Sequence, residues 1–527
     1  MKSRTLSVFL LKDDFNAQNA LKDDNSLDEI TDANLPPHAR LFLADNPPNE
    51  PWWKSYLGIS NDILQGFKGA ILFLPVNTRT FVITFGNVFH NLKDESYEYD
   101  FGLLTTLNSI NPAALKSTDV LRPENALRQR IQTPKNSDLT FFDFDRDNSV
   151  IKRLTGKVKN EYKELFTNAT GANNLRITTK KCLSDLPTLC SQLLDIYQRE
   201  DYKTLFPDLH NIRPIKDPSK ISILNTALLL ELQQKSQDVL LTIPDITDYS
   251  NVCGIKFSES RSAVLYDNID ISAFYDEIGN ELQSLSLEML RTAYPVTAFD
   301  ENNQSLFRNS LYRSLIWDYS NEQNEIYHFC DGNWYQVEQQ YLENLTATID
   351  TAFTSYMLPD FVHENEGTYN AYVPTVDSSL ICLDKKNIAP DGESAVEPCD
   401  LYKADNGVAH YIHVKTGTRS SLLSHLFNQG VNSIVLLNSE DASRKKMQGL
   451  IQTVAPQNLV DDYLAAISSK RAKVVFAIIS DKDVALKSKI LPLFSRISLK
   501  RAIQSLKSMN VEYTVTIVKD LLHNDHR

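Results

Sequence analysis

The chain has 527 residues, of which 42% are hydrophobic and 23% are charged, as in ordinary globular proteins. This composition excludes a mainly disordered or collagen-like chain, and the apolar runs are far shorter than the ~20 residues that cross a bilayer. The formal net charge of −13 argues against a protein that binds nucleic acid over its whole surface.

Residues 1–150 have the pattern of an α+β domain. Two apolar runs, at 69–76 and 80–85, are separated by three turn residues and predict a β-hairpin. The sequence at 101–104 predicts the start of a further strand. Polar residues fill 132–150, which predicts a loop at the end of this domain.

Residues 151–358 predict a middle region that is rich in helices and contains one β-hairpin. The hairpin strands, at 326–329 and 334–337, flank a Cys-Asp-Gly-Asn turn. No glycine-rich phosphate loop, H-E-x-x-H or G-x-S-x-G motif is present. We therefore expect the first 358 residues to sense a trigger or bind a partner; a protein trigger and a homo-oligomer are both open. Helical spacing is found at 186–199, 221–234, 274–291 and 341–351.

Six cysteines occur in the chain, and none forms a C-x-x-C pair. This spacing predicts reduced thiols rather than a disulfide framework or a zinc site. The apolar stretch near the start of the chain is too short for a signal peptide. We expect a cytoplasmic protein with no membrane segment.

Residues 359–527 predict an α/β unit in the order helix, three-strand meander, helix, strand. An Asp-Asn-Gly turn at 405–407 joins two of the strands, and Gly430 is expected to end the helix that follows the meander. A final strand, helix and strand are expected to extend the same sheet. The predicted strands are 379–384, 396–402, 409–415, 472–480 and 511–518, and the predicted helices are 420–429 and 499–509.

Charge is unevenly divided along the chain. Residues 401–527 contain 18 basic and 10 acidic residues and carry +8, whereas the other 400 residues carry −21. This asymmetry indicates a part that faces nucleic acid, with DNA favoured over RNA, unless it arises by chance among solvated side chains. The candidates for contacts with nucleic acid are Arg419, Ser421, His425, Arg444, Lys445 and Lys446.

Five polar side chains of the predicted meander carry the candidate chemistry. If the Asp-Asn-Gly turn closes a hairpin, Asp400 lies opposite His413, and His413 shares a face with Lys415. The preceding Pro-Asp-Gly turn places Asp384 opposite Glu397. Carboxylates beside a lysine could hydrolyse a phosphodiester, because the acids hold Mg²⁺ and the lysine positions the water that attacks the phosphate.

Asp400, fourteen intervening residues, and Lys415 in a His-Val-Lys strand before a helix resemble the core of the PD-(D/E)XK nucleases. The resemblance makes Asp400 the first acid and Lys415 the lysine, but His413 stands where that family has Asp or Glu. It implies Mg²⁺, with Mn²⁺ as the alternative because imidazole suits Mg²⁺ poorly. The implied metal ligands are Asp400, Glu397, Asp384 and Glu366, and the implied catalytic residues are Asp400, Lys415, His413 and Glu397.

The whole chain also resembles a family of sporadically distributed, uncharacterised bacterial proteins. Such a distribution implies mobile elements and defence against phage. The fold class that we predict is α+β and multidomain, with a restriction-endonuclease-like α/β core at 359–527. The matching stretches are 6–12, 369–370, 383–386, 397–401, 412–415, 420–430 and 491–496.

The hypothesis that joins these features is a metal-dependent endonuclease, acting on DNA, that serves as an effector of antiviral defence. Three alternatives stay open. They are an RNA-cleaving toxin with the same site, a non-catalytic nucleic-acid-binding sensor in which His413 marks a degenerate site, and a scaffold whose partner covers the basic residues. A core role for His413, bonded to Asp400 without a metal, is also open.

Overall fold

The structure, a computed structural model, describes residues 2–31, 33–45, 47–66, 68–123, 126–142, 150–206, 212–258, 263–300, 305–323 and 325–522. The chain forms two compact units: residues 1–121 with 128–210, and residues 122–127 with 211–527. The first unit includes strands between 150 and 179, which the sequence pattern assigned to the middle region. Among the described residues, no helix is both long enough and apolar enough to cross a bilayer.

The first unit is built on a ten-stranded sheet in the order β2-β3-β4-β5-β1-β10-β9-β8-β6-β7. The predicted hairpin is confirmed, because β4 and β5 pair antiparallel from Ala70 with Phe85 to Val76 with Arg79. Its strands are β1 (Arg4–Leu10), β2 (Asp28–Ile30), β3 (Arg40–Asp45), β4 (Lys68–Val76), β5 (Arg79–Phe85), β6 (Ile110–Arg122), β7 (Leu127–Ser137), β8 (Val150–Val158), β9 (Asn168–Gly171) and β10 (Leu175–Thr179), and its helices are α1 (Trp52–Tyr56), α2 (Phe101–Ser109), α3 (Leu186–Tyr197) and α4 (Tyr202–Leu205).

Two predictions for this unit were wrong. Residues 101–104 begin helix α2 rather than a strand. A Cβ on Gly102 would lie 2.0 Å from the carbonyl oxygen of Asn174, so the glycine allows the helix to pack directly on backbone. Residues 132–137 continue strand β7 rather than forming a loop, and 143–149 lie outside the described residues.

The second unit begins with a five-stranded sheet, in the order β11-β18-β17-β16-β12, and a three-stranded sheet, β13-β14-β15. The predicted hairpin of β17 and β18 is confirmed, with Asp331 and Gly332 at positive φ in its turn. The elements are β11 (Ile212–Pro214), α5 (Pro218–Gln233), β12 (Leu240–Leu241), β13 (Gly254–Lys256), α6 (Ile271–Ile278), α7 (Leu287–Thr292), β14 (Pro295–Phe299), β15 (Ser305–Ser310), β16 (Leu315–Ser320), β17 (Ile326–Cys330), β18 (Asn333–Val337) and α8 (Gln339–Asp350).

A mixed five-stranded sheet, β19-β20-β21-β22-β23, forms the rest of the second unit. The first three strands are antiparallel, and β21, β22 and β23 are parallel. The order of elements is helix, three strands, helices, strand, helix, strand. They are α9 (Glu366–Val376), β19 (Ile381–Cys382), β20 (Leu401–Asp405), β21 (Val408–Thr416), α10 (Ser420–Ser439), α11 (Asp441–Val454), α12 (Val460–Ser469), β22 (Ala472–Ser480), α13 (Leu493–Ser508) and β23 (Glu512–Lys519).

Both faces of this sheet are covered. Tyr369 of α9 belongs to the same apolar cluster as Ile412 and Val414 of β21. Tyr411 of β21 joins the cluster of the other face, with Leu423 of α10. Because side chains alternate along a strand, β21 contributes to both cores, and its last residues, Lys415 and Thr416, are polar and only partly buried.

Helix α10 does not end at Gly430, as the sequence predicted, but continues to Ser439. A Cβ at position 430 would lie 2.5 Å from Cε1 of Phe476 on β22. The glycine is therefore required for close packing of helix on sheet, and it gives no stop signal. The second strand also starts later than predicted, at Leu401, because buried Pro398 has no N–H to donate to the ladder.

Candidate metal site

Three carboxylates meet beside the start of β20. Asp384 follows β19, Glu397 lies in the loop before β20, and Asp400 immediately precedes that strand. Their carboxylate oxygens lie within 4.8 Å of one another. Backbone bonds fix this arrangement, since the N–H of Leu383 donates to the carbonyl of Asp400 at 2.7 Å and the N–H of Asp400 donates to that of Ile412 at 3.0 Å. Three of the four predicted metal ligands are thus brought together.

Asp400 is the buried member of this acidic cluster, with 7% of its surface exposed. Burial raises the pKa of its carboxyl to about 7, and the nearby charges of Asp384, Glu397 and Glu366 act in the same direction. One interaction opposes them, because the N–H of Val414 donates to Oδ2 at 2.7 Å. The cluster therefore holds more negative charge than its protein surroundings stabilise.

The fourth predicted ligand, Glu366, is engaged elsewhere. Its Oε2 accepts from the ammonium of Lys415 at 2.9 Å, and its Oε1 accepts from the N–H of Thr416 at 2.8 Å. Glu366 lies near the acidic cluster, because its charge helps to raise the pKa of Asp400 and a Cβ on the neighbouring Gly367 would lie 3.6 Å from Oδ2 of Asp384. Glu366 therefore binds Lys415 near the three carboxylates but does not belong to their group.

Gln429 was not identified from the sequence as a site residue. From α10, its Nε2 donates to Oε2 of Glu397 at 2.9 Å. Helix α10 thereby positions one member of the acidic cluster. No motif or spacing links residues 397 and 429, so only the tertiary packing of α10 reveals this contact.

His413 does not join the acidic cluster. Its fully buried ring lies 6.3 Å from the ring of Phe476, and burial lowers its pKa to about 3. Neither ring nitrogen has a hydrogen-bond partner among the described residues, so the alternative of a bond to Asp400 is not observed. Asn370 of α9 is likewise buried, and its Oδ1 is unpartnered in the same part of the chain.

Of the residues predicted to contact nucleic acid, two make contacts within the protein and three are exposed. Arg444 donates to the carbonyls of Leu437 and Asn438, and so caps the end of α10. Lys446 donates to the carbonyl of Ala389 and pairs with a carboxylate of the same loop. These contacts give both residues a structural role. Arg419, His425 and Lys445 are exposed, and Ser421 lies in the first turn of α10 with its side chain outside the described structure.

Comparison with known families gives a match over residues 6–519, to a family of unknown function (DUF6119). The chain belongs to this family. The match spans both compact units, as far along the chain as the resemblance found in the sequence. Neither curated proteins nor solved structures gave a match. Family membership therefore assigns no activity, and the chemistry must be argued from the site.

The donor set suits a hard divalent cation. Three carboxylates offer only oxygen ligands, which Mg²⁺ and Mn²⁺ prefer, and no sulfur or imidazole belongs to the group. The raised pKa of Asp400 points the same way, because a cation would stabilise the charge that burial and neighbouring acids oppose. Asp384, Glu397 and Asp400 are thus the residues that would hold the ion.

Proposed function

We propose that the protein is a metal-dependent phosphodiester hydrolase, an endonuclease that acts on DNA. The observation that carries this proposal is the group of three carboxylates beside the Lys415–Glu366 pair. Further support comes from the order of elements around it, with acids before the second strand of an antiparallel meander and a lysine at the end of the third. That order is the one the PD-(D/E)XK resemblance led us to expect.

Each side chain has a defined task in this proposal. Asp384, Glu397 and Asp400 would hold the cation, which when bound would supply Lewis-acid polarisation of the phosphate and a lowered pKa of a water molecule. Lys415 places its ammonium near the phosphate, where it orients the attacking water and stabilises negative charge that develops on the phosphate oxygens. Glu366 keeps the lysine in position. His413 is left out of the metal shell, because its ring packs against Phe476.

The experiment compares cleavage of a supercoiled plasmid by the full chain in Mg²⁺ and in EDTA. Cleavage is expected in Mg²⁺ alone, and Lys415→Ala is expected to slow it by ~10²–10³-fold, as for loss of one charge-stabilising group. Lys403→Ala is the matched control, because Lys403 lies on the neighbouring strand over the ring of Tyr356. Equal cleavage by all three proteins, or in EDTA, would remove the proposal.

Two alternatives give distinct results. Preferential cleavage of a single-stranded or structured RNA in the same assay would identify an RNA-cleaving enzyme with this site. Salt-dependent DNA binding without turnover would identify a sensor, an alternative favoured by the position of His413 outside the acidic cluster. A protein partner that covers the basic residues predicts neither result.

The cellular setting is part of the proposal. The six cysteines are free thiols, as expected for a cytoplasmic protein. A role in defence rests on the family resemblance alone. It predicts that cells expressing the wild-type chain survive phage challenge better than cells expressing Lys415→Ala. Equal survival would contradict the defence role and leave the nuclease proposal to the cleavage assay.

A further inference from the structure

A second site is suggested by a cavity of about 190 Å³ in the second unit. One wall comes from strand β16, and the other comes from the segment between β22 and α13 and from the start of α10. The cavity shares no lining residue with the acidic cluster. Its charged lining residues are Arg419, Lys482, Lys489 and Arg496, with Asp238 and Asp318.

The basic side chains are held at the cavity without carboxylate partners. Lys482 donates through Nζ to Oγ1 of Thr418 at 3.0 Å and to the carbonyl of Ile490 at 3.3 Å. Arg496 is 7% exposed and donates through Nε and Nη2 to the carbonyls of Leu491 and Lys489, which leaves Nη1 without a bond to a described residue. Within the described chain, none of the four basic residues forms an ion pair.

One of the two acids is already compensated. Asp318 lies 2.8 Å from Nδ1 of His328, which is fully buried behind it. Burial by itself would lower the pKa of His328, but Cys330 and the carboxylate of Asp318 outweigh it and raise the pKa to about 10. Asp318 thus has a buried partner behind the cavity wall, and its charge also acts on Arg496, so four basic residues face two acids in the lining.

Two long helices also begin at this cavity. Ser420 and Leu493 are the first residues of α10 and α13, and both line it. Neither helix has a side-chain cap, and the hydroxyls of Ser420 and Ser495 lie 3.3 Å apart, so the two N-termini meet. Their N–H groups and dipoles add to the attraction that the basic side chains exert on an anion.

We propose that this cavity binds the phosphate group of a small, nucleotide-sized ligand. The convergence of four basic side chains and two helix N-termini supplies the phosphate site. Tyr319 and Ile316 line the opposite wall and offer aromatic and apolar surface for a base or sugar.

The test measures binding of ADP and of inorganic phosphate to the full chain by calorimetry, in EDTA. ADP is expected to bind at one site, and Lys482→Gln combined with Lys489→Gln is expected to weaken it about tenfold or more. Lys487→Gln is the matched control, because Lys487 is exposed in the same segment but does not line the cavity. If the double variant does not fold, Lys489→Gln alone replaces it, because Lys489 is exposed and its substitution should leave the fold intact. This single variant should weaken ADP binding less than the double variant.

Several results would overturn the proposal. They are no binding of either probe by the wild type, equal binding by the wild type and the lysine variants, or equal weakening by Lys487→Gln. Binding of a DNA oligonucleotide that the two lysine substitutions weaken, with no binding of ADP, would assign the cavity to the path of nucleic acid instead. Asp400→Asn must leave ADP binding unchanged, so that failure of the nuclease proposal is distinguished from failure of this one.

Discussion

The acidic cluster and the basic cavity lie in the same unit, yet they collect charges of opposite sign. Asp384, Glu397 and Asp400 crowd negative charge at one end of a strand meander. Arg419, Lys482, Lys489 and Arg496 gather positive charge where two helices begin. Neither set is neutralised by the protein, so each site is suited to a ligand that brings the opposite charge.

Two buried histidines, one near each site, have opposite pKa shifts. His328 and His413 are both fully buried. A carboxylate at hydrogen-bond distance helps to raise the pKa of His328 to about 10, whereas burial alone lowers the pKa of His413 to about 3. A carboxylate therefore faces the ring of His328 behind the basic cavity, whereas neither nitrogen of His413, beside the acidic cluster, has a partner among the described residues.

The largest expected effect comes from Asp400→Asn. Loss of the central carboxylate is expected to reduce Mg²⁺-dependent cleavage by ~10³-fold and to abolish the rise in unfolding temperature that Mg²⁺ gives the wild type. Asp405→Asn, at the exposed end of the same strand, is the control and should behave like the wild type. If Mg²⁺ still raises the unfolding temperature of Asp400→Asn and still supports its cleavage activity, the acidic cluster is not the cation site.

A pH dependence of stability should distinguish the acidic cluster from the cavity. In the folded chain Asp400 keeps its proton to about pH 7, whereas an unperturbed Asp loses it near pH 3.8. Between these values the folded state binds more protons, so the free energy of unfolding falls as the pH rises, by at most ~1.4 kcal/mol per pH unit. Denaturant unfolding in EDTA measures this fall.

Asp400→Asn should flatten that profile, and saturating Mg²⁺ should do the same in the wild type because the cation displaces the proton. Lys489→Gln should leave the profile unaltered. A wild-type profile that is already flat from pH 4 to pH 7 would show that Asp400 does not carry the excess charge.

Packing of α10 supports the acidic cluster through Gly430, the neighbour of Gln429. Gly430→Ala is expected to lower the free energy of unfolding by ~1–3 kcal/mol, because its Cβ would meet Phe476 at 2.5 Å. Gly449→Ala, in helix α11 with open space at its Cβ, should instead stabilise by up to ~1 kcal/mol. Denaturant titrations of both variants decide, and a neutral Gly430→Ala would contradict the packing described.

The smallest expected effect is that of Arg444→Gln, which tests whether Arg444 stabilises the fold or binds DNA. Removing its two bonds to the end of α10 in Arg444→Gln should cost ~1 kcal/mol of stability and leave DNA affinity unchanged. Lys445→Gln, exposed beside it, should leave stability unchanged. Weaker DNA binding by Arg444→Gln at constant stability would restore the role predicted from the sequence.

Much of the acidic cluster could be predicted from the sequence because its signals are local. The Asn406-Gly407 turn, with both residues at positive φ, sets the register of β20 and β21. That register brings Asp400 against β21, and the pairing of β19 adds Asp384. Two of the three proposed ligands follow from these local features, whereas Glu397 lies in the loop before β20.

The errors arose where tertiary contacts decide. Gly430 has the sequence signature of a helix stop, but the ring of Phe476, 46 residues away, requires a glycine inside the helix. Alternation put His413 and Lys415 on one face of β21, but the ring of His413 is buried against Phe476, whereas Lys415 pairs with Glu366 of α9. The basic cavity gave no signal at all, because residues as distant as Asp318, Arg419 and Lys489 assemble it.

The central claim is that Asp384, Glu397 and Asp400 hold a divalent cation that the hydrolysis requires. It is tested most directly by an anomalous-scattering map from crystals of the full chain grown with Mn²⁺. We expect one peak within bonding distance of oxygens from all three carboxylates, and its loss in Asp400→Asn. No peak at this position at saturating Mn²⁺, or a peak bound elsewhere while the carboxylates stay apart, would contradict the claim.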